Sequence, residues 1–188
     1  AYIFYKSGGT WTQQAILTGS DTGSSDEFGT CVGIKGDYTV VGAPEAGAVY
    51  IFKRSGTSWT QQQKITASDA GSNDKFGSSA SISGDYAIVG AYKEDTGGTD
   101  AGAAYIFKKD TGAETWTQQA KITASDAAGN DRFGEFVTIS GDYAIVGAPY
   151  DDDGASSSGS AYIFKKKTTN HNGTKSPYFT DVSTIVTD

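Results

Sequence analysis

With 188 residues, a net charge of −7, 25 glycines, 11 tyrosines and no methionine, the chain is long enough to bury a core without disulfides or a structural metal. Its acidity works against binding to phosphate backbones or anionic lipid, and a single cysteine excludes an intrachain disulfide framework. No apolar run approaches the length of a membrane span, so nucleic acid and membrane insertion are set aside as partners.

The chain opens on AYIFY, a strand-like ribbon within residues 1–10. A larger pattern starts at Trp11: Trp11, Trp59 and Trp116 stand 48 and 57 residues apart, and Phe28, Phe76 and Phe133 keep the same two intervals. A phrase repeated at such spacing marks a structural unit built several times. Each unit runs through four short segments. W-T-Q-Q leads into an apolar stretch, and an acid-flanked Phe-Gly strand follows (SDTGSSDEFG, SDAGSNDKFG and SDAAGNDRFG). A DYAIVGAP-like strand and an AYIFKK-like strand complete the unit. Their Tyr, Ile, Val and Phe content is that of strands.

Gly36-Asp37, Gly84-Asp85 and Gly141-Asp142 separate the second and third segments. A Gly-first dipeptide suits a two-residue hairpin turn with positive φ. It sets an antiparallel register with Ser81 opposite Ile88 and Ile82 opposite Ala87. Because YAIVGA stays apolar at successive positions, both faces of its sheet are expected to be at least partly buried. Four-stranded sheets of this period, covered on both faces, are what propeller blades require.

The predicted architecture is therefore all-β, a β-propeller-type array of three four-stranded antiparallel blades at 11–54, 55–109 and 110–167. An orphan strand of an incomplete blade, 1–10, precedes them, and a polar linker, 168–177, and a strand-like tail, 178–188, follow. Trp11, Trp59, Trp116, Phe28, Phe76 and Phe133 are the expected packing residues between blades, each worth roughly 1.5–3 kcal/mol when buried.

These residues resemble FG-GAP repeats, the blade unit of the integrin α-subunit propeller and of many secreted proteins. The resemblance spans about residues 1–165 and rests on three motifs. They are Phe28-Gly29, Phe76-Gly77 and Phe133-Gly134; Gly42-Ala43-Pro44 and Gly147-Ala148-Pro149; and the YIF strands at Tyr2, Tyr50, Tyr105 and Tyr162. The second copy departs, reading Gly90-Ala91-Tyr92. The resemblance implies a propeller, a non-catalytic role in adhesion or assembly, an extracellular or cell-surface location, and in some repeats a calcium loop of the D-x-D-x-D-G type. That loop is missing here, where only the Gly-Asp turns join the two hairpin strands.

The acid pairs Asp21/Asp26, Asp69/Asp74 and Asp126/Asp131 keep a spacing of five in every copy. Beside Ser, Gly and Asn, such acids tie down their own loop by accepting backbone N–H bonds. Calcium needs six to eight oxygens, so the candidate ligands are Glu94, Asp95 and Asp100, or the triplet Asp151, Asp152 and Asp153. A solvated acidic loop is the default reading of both. No cofactor is required, and calcium is the one considered. His171, the only histidine, lies in a polar stretch with no acid–base or metal pattern around it, so catalysis is not expected. Asn172-Gly173-Thr174 fits the N-glycosylation triplet. Cys31 reads as a small buried hydrophobe.

The orphan ribbon raises the question of partners, since an unpaired strand edge is a template for another strand. Tyr2, Ile3 and Phe4 at one end and Ile185 and Val186 at the other are the expected strand-exchange residues. The ends could meet as a partial blade, insert into neighbouring subunits, or belong to a fragment of a larger FG-GAP propeller. Exchange between subunits, head to tail and possible as a filament, is the favoured arrangement. The partner is then the chain itself, with glycans or extracellular proteins as further partners. The competing function is a calcium-dependent ligand-binding module.

Overall fold

The computed structural model describes residues 1–171 and 174–186, with side chains placed at all of these except 169–171, 174–177 and 186. The glycosylation triplet's Asn172 lies outside the described residues. The first two strands, β1 (Tyr2–Ser7) and β2 (Thr10–Ile16), form a two-stranded sheet. Sheet 1 follows with β3 (Val32–Lys35), β4 (Tyr38–Ala43), β5 (Ala48–Ser55) and β6 (Ser58–Ile65). Sheet 2 holds β7 (Ser79–Ser83), β8 (Tyr86–Ala91), β9 (Ala103–Lys109) and β10 (Trp116–Ile122). Sheet 3 holds β11 (Phe136–Ser140), β12 (Tyr143–Ala148), β13 (Ser160–His171) and β14 (Thr174–Val186). Every pairing is antiparallel between strands adjacent in sequence. The result is an arc of propeller-type blades.

The Gly-Asp hairpins have the expected register, Ser81 opposite Ile88 and Ile82 opposite Ala87. Gly36, Gly84 and Gly141 take φ of 60°, 58° and 58°, the sign a Gly-first turn of the II′ kind needs. The sheets, however, are cut one strand later than the sequence units. The Trp-led strand pairs with the YIF strand before it: β2 with β1, β6 with β5, and β10 with β9. Each unit thus lends its first strand to the preceding sheet as the outermost member. AYIFY is not alone, since it pairs with β2, and among the described residues this half-sheet has two strands where the other sheets have four.

The stretch read as a polar linker at 168–177 is mostly hairpin. Thr168 pairs with Pro177, Thr169 with Ser176, Asn170 with Lys175 and His171 with Thr174. Polar composition misled here, because the distal part of a two-stranded ribbon needs no apolar face to continue its backbone ladder. The tail supplies the fourth strand of sheet 3, so Ile185 pairs with Ala161 and Val186 with Ser160 within the same chain. Closing a local hairpin costs less chain entropy than recruiting a second molecule.

The sheets stack face to face around three cores. One lies between sheets 1 and 2 and includes Val40, Ile51, Phe76, Ile82, Tyr105 and Trp116. The second lies between sheets 2 and 3 and includes Ile88, Ile106, Phe133, Val146 and Tyr162. The third joins the half-sheet to sheet 1 through Leu17, Val41, Tyr50 and Phe52, with Ile3 and Phe28 at its margin.

Candidate functional site: a repeated Asp–Tyr–Lys cluster and two open end faces

Each Phe-Gly turn is built the same way. The second acid of each pair accepts a backbone N–H from its own loop, Gly23 to Asp26 at 2.6 Å, Gly71 to Asp74 at 2.7 Å and Ala128 to Asp131 at 2.7 Å. The turn then returns to the GAP strand: the N–H of Gly29, Gly77 and Gly134 donates to the carbonyl of Gly42, Gly90 and Gly147 at 2.8, 3.0 and 3.0 Å. The two halves of the motif are thus hydrogen-bonded partners. Tyr92 can replace the proline in the second copy because the glycine, and not the proline, makes this contact. Phe28, Phe76 and Phe133 pack edge-on against Tyr50, Tyr105 and Tyr162, with centroids 5.4, 5.5 and 5.3 Å apart.

The first acid of each pair meets that tyrosine's hydroxyl end. Tyr50 Oη donates to Asp21 at 2.8 Å, and Lys64 Nζ donates to the same carboxylate at 2.7 Å. Lys64 holds the Asp21 carboxyl below its ordinary value, while burial and Asp21 push Tyr50 up. In sheet 2, Lys121 Nζ binds Asp69 at 2.6 Å and Glu94 at 2.8 Å. Burial alone would raise Asp69 and Glu94, but Lys121, together with hydrogen bonds from Tyr105 to Asp69 and from Thr96 to Glu94, outweighs it and both are lowered. Lys64 stands opposite Tyr50 and Lys121 opposite Tyr105.

Sheet 3 breaks this pattern, because Thr184 stands opposite Tyr162. Tyr162 Oη lies 2.6 Å from both Asp126 and Asp151, and one hydroxyl proton cannot serve two carboxylates. The Asp151 charge pushes Asp153 up, and burial followed by the charges of Asp151, Asp152 and Asp153 pushes Asp131 up. Thr184→Lys should therefore stabilise the fold by about 0.5–1 kcal/mol, read as a rise in melting temperature of roughly 1–4 °C. An added ammonium lowers the folded pKa of its carboxylate partners. The gain is thus present at pH 7 and lost as the pH falls through the values so lowered. A melting temperature unchanged at pH 7 would show that the acids there need no cation.

The candidate metal ligands do not converge. Glu94 is engaged by Lys121, by Thr96 N at 3.0 Å and by Thr96 Oγ1 at 2.6 Å. Asp95 accepts the Asp100 N–H at 2.9 Å, and Asp100 faces Lys93 at 3.6 Å. Asp151 is buried on Tyr162 and accepts the Asp153 N–H at 3.1 Å, while Asp152 and Asp153 are exposed. Among the described residues no group of three or more His, Cys, Asp or Glu side chains is arranged to hold a metal ion. The residues present do not fit the calcium loop that the resemblance implies for some repeats.

The aromatic residues are placed unequally. Phe76, Phe133 and Trp116 are buried, and Trp116 packs edge-on against Tyr38 at 6.0 Å. Trp59 is half-buried and donates Nε1–H to Gln14 at 3.0 Å, and Phe28 is also half-buried. Trp11 is 64% exposed, because no sheet covers the outward face of the half-sheet. Cys31 is half-buried; its Sγ donates to the Gly77 carbonyl at 3.2 Å, and burial pushes its thiol up to about 11. It stays protonated and a poor nucleophile at neutral pH.

The remaining feature is a pair of open faces, which sequence reasoning found only in part. On sheet 1, Ile34 is 58% exposed, whereas its counterparts Ile82 and Ile139 are 5% and 4% exposed. The two inner strands that would cover it are those the half-sheet lacks. An apolar cavity of about 170 Å³ results, walled by Tyr2, Ile3, Phe4, Leu17, Val32 and Ile34 among others. On sheet 3, Phe136, Ile145 and Ile185 are exposed.

Three stacked antiparallel blades, each locked by a Phe-Gly turn bonded to a GAP glycine, define a propeller-type repeat protein. The FG-GAP repeat model matches residues 11–52, 59–107 and 116–164, and the chain belongs to the FG-GAP repeat family. No curated protein sequence matches it. Among solved structures it is similar in fold to Saccharomyces cerevisiae Sqt1, with a TM-score of 0.53 at 8% identity, covering 87% of this chain and 37% of that one. The chain thus spans little more than a third of that structure. Kuenenia stuttgartiensis hydrazine synthase matches at a TM-score of 0.44 and 18% identity, over 72% of this chain and 33% of that one. No helix among the described residues is long and apolar enough to cross a membrane.

Proposed function

We propose that this FG-GAP protein is a non-catalytic, extracellular structural or adhesive building block that associates with copies of itself through its two ends. The observation that carries the reading is the two-stranded first sheet, beside which Ile34 is exposed where its counterparts Ile82 and Ile139 in sheets 2 and 3 are covered. Uncovered apolar faces of this kind mark association surfaces. Tyr2, Ile3 and Phe4 belong to that end. Ile185 and Val186 are already hydrogen-bonded to β13, so the other end contributes a face and not a free strand. Because the two ends differ, the contact between copies is head to tail, giving a ring if it closes and a filament if it does not. The extracellular location follows the family's habit, and glycans or other extracellular proteins are the further partners proposed.

Sedimentation velocity across micromolar to near-millimolar protein, with electron microscopy of the concentrated sample, tests the reading. Concentration-dependent growth into rings or fibres is expected, and a monodisperse monomer throughout would overturn it. Melting the same samples with and without calcium tests the runner-up, a calcium-dependent binding module. A rise in melting temperature with the ion favours that alternative, and no change is expected here.

A further inference from the structure

The crossing from the GAP strand to the YIF strand is built differently in sheets 1 and 2. Residues 44–47, four in all, join β4 to β5, where the eleven residues 92–102 join β8 to β9. The longer crossing runs along the Phe-Gly turn of sheet 3. Asn130 N–H donates to Thr99 O at 2.8 Å, Arg132 N–H to Asp100 O at 3.1 Å and Phe133 N–H to Ala101 O at 2.8 Å. Gly102 adds a parallel bridge to Phe133, so close that a Cβ on it would stand 2.0 Å from the Phe133 carbonyl oxygen.

The Phe-Gly turn of sheet 2 has the same conformation without that cover. Asn73 and Lys75 take φ of 75° and 60°, as Asn130 and Arg132 take 73° and 56°, and Gly71 and Ala128 each donate to the acid of their own loop at 2.7 Å. The N–H groups of Asn73, Lys75 and Phe76 therefore point as their counterparts do, yet among the described residues none of the three has an acceptor. They border a cleft of about 450 Å³ between the 44–47 crossing and the 70–76 loop, a volume in the small-ligand range of about 300–1,000 Å³. Gly47, the counterpart of Gly102, has nothing within 4 Å of where a Cβ would lie. Phe76 is only 1% exposed, and main-chain donors so buried are rarely left unmet. Both walls belong to four-stranded sheets within the chain, so the cleft comes from the length of one loop and not from either end.

We propose that this cleft binds an extended segment of another protein, whose successive backbone carbonyls accept from Asn73, Lys75 and Phe76 as Thr99, Asp100 and Ala101 do one interface further on. The chain's own loop specifies the occupant. Main-chain hydrogen bonds supply the affinity, as they do when a strand is added to a sheet edge. The residue in the place of Ala101 must be small, since Ala101 is fully buried. Lys93 faces Asp100 at 3.6 Å, but its counterpart is Glu45, whose charge Lys75 already meets at 2.6 Å. The cation that serves Asp100 is thus replaced by an anion here, and a neutral middle residue fits, giving a segment of the Thr-Ser-Ala kind.

The inference does not depend on self-association through the ends, and dilute protein suffices to test it. Amide hydrogen exchange followed by NMR is expected to be roughly a hundredfold faster at Asn73, Lys75 and Phe76 than at Asn130, Arg132 and Phe133. The end-blocked peptide Gly-Thr-Ser-Ala-Gly, added to about 10 mM, enough to saturate a site of millimolar Kd, is expected to slow exchange at the first three amides and shift them saturably while leaving the second three unchanged. A variant with residues 45–46 replaced by the 93–101 segment should close the cleft and lose these shifts, with its melting temperature held or raised. Equal protection of the two sets in the free protein overturns the inference, as does the absence of peptide shifts at Asn73, Lys75 and Phe76, or their persistence in the loop variant. Each of these failures leaves the self-association reading standing.

Discussion

Phe133→Ala is expected to cost about 3–5 kcal/mol, lowering the melting temperature by roughly 6–20 °C for a chain of this size. Phe133 is fully buried and packs edge-on against both Tyr162 and Phe164, at 5.3 and 6.0 Å. Truncation would empty the centre of the core between sheets 2 and 3, and the surrounding strands, pinned by ladder bonds on either side, cannot collapse into the void. Phe28→Ala should cost distinctly less. The same residue of the same motif is only half-buried there, because the inner strands that would close over it are absent. Trp11→Ala should be nearly silent, whereas Trp116→Ala should resemble Phe133→Ala. Thermal or urea unfolding of the four variants checks the order; equal losses at Phe28 and Phe133 would show that the first interface is as closed as the last.

Gly90→Ala is the second large effect, about 3 kcal/mol or roughly 6–12 °C. The added methyl would sit 1.9 Å from the Gly134 carbonyl oxygen and 2.3 Å from Ser79 Oγ. Backbone cannot yield there without dragging the Phe-Gly turn of sheet 3 away from sheet 2. Gly147→Ala supplies the control within the protein. It is the same motif glycine, but the nearest atom to its added methyl is 3.6 Å away, an ordinary contact, and no following turn presses on it. Replacing a glycine at an unstrained position restricts the unfolded chain, so this variant should be neutral or gain up to about 1 kcal/mol. A loss at Gly147 matching that at Gly90 would mean that the glycine serves its own sheet and not the next one.

Much of this was legible in the sequence, for local reasons. The hairpin around Gly84-Asp85 has its register set by two residues, so Ser81 and Ile88 could be paired from the sequence alone. The Phe-Gly and GAP motifs announced themselves by recurrence. The offset between sequence unit and sheet was not read, although a signal existed. Gly56 in RSGTSW has φ 62° and joins β5 to β6 by a two-residue turn with Ser55 opposite Ser58, the same kind of cue used at Gly84. The tryptophan three residues on, the most conspicuous of the repeat, obscures that cue. The ladder from Thr168–Pro177 to His171–Thr174 was hidden for the opposite reason, since a run of polar residues offers no apolar alternation to detect.

The one-strand offset has a bearing on how the molecule comes apart. Because every repeat is stitched into the sheet before it, no repeat is a separable brick, and a cut within residues 59–65 would fray the sheet before it as well as its own. The arc should therefore melt as a single event, each tear propagating into its neighbour. A tug on either terminus would be shared along the whole row before any one blade gave way.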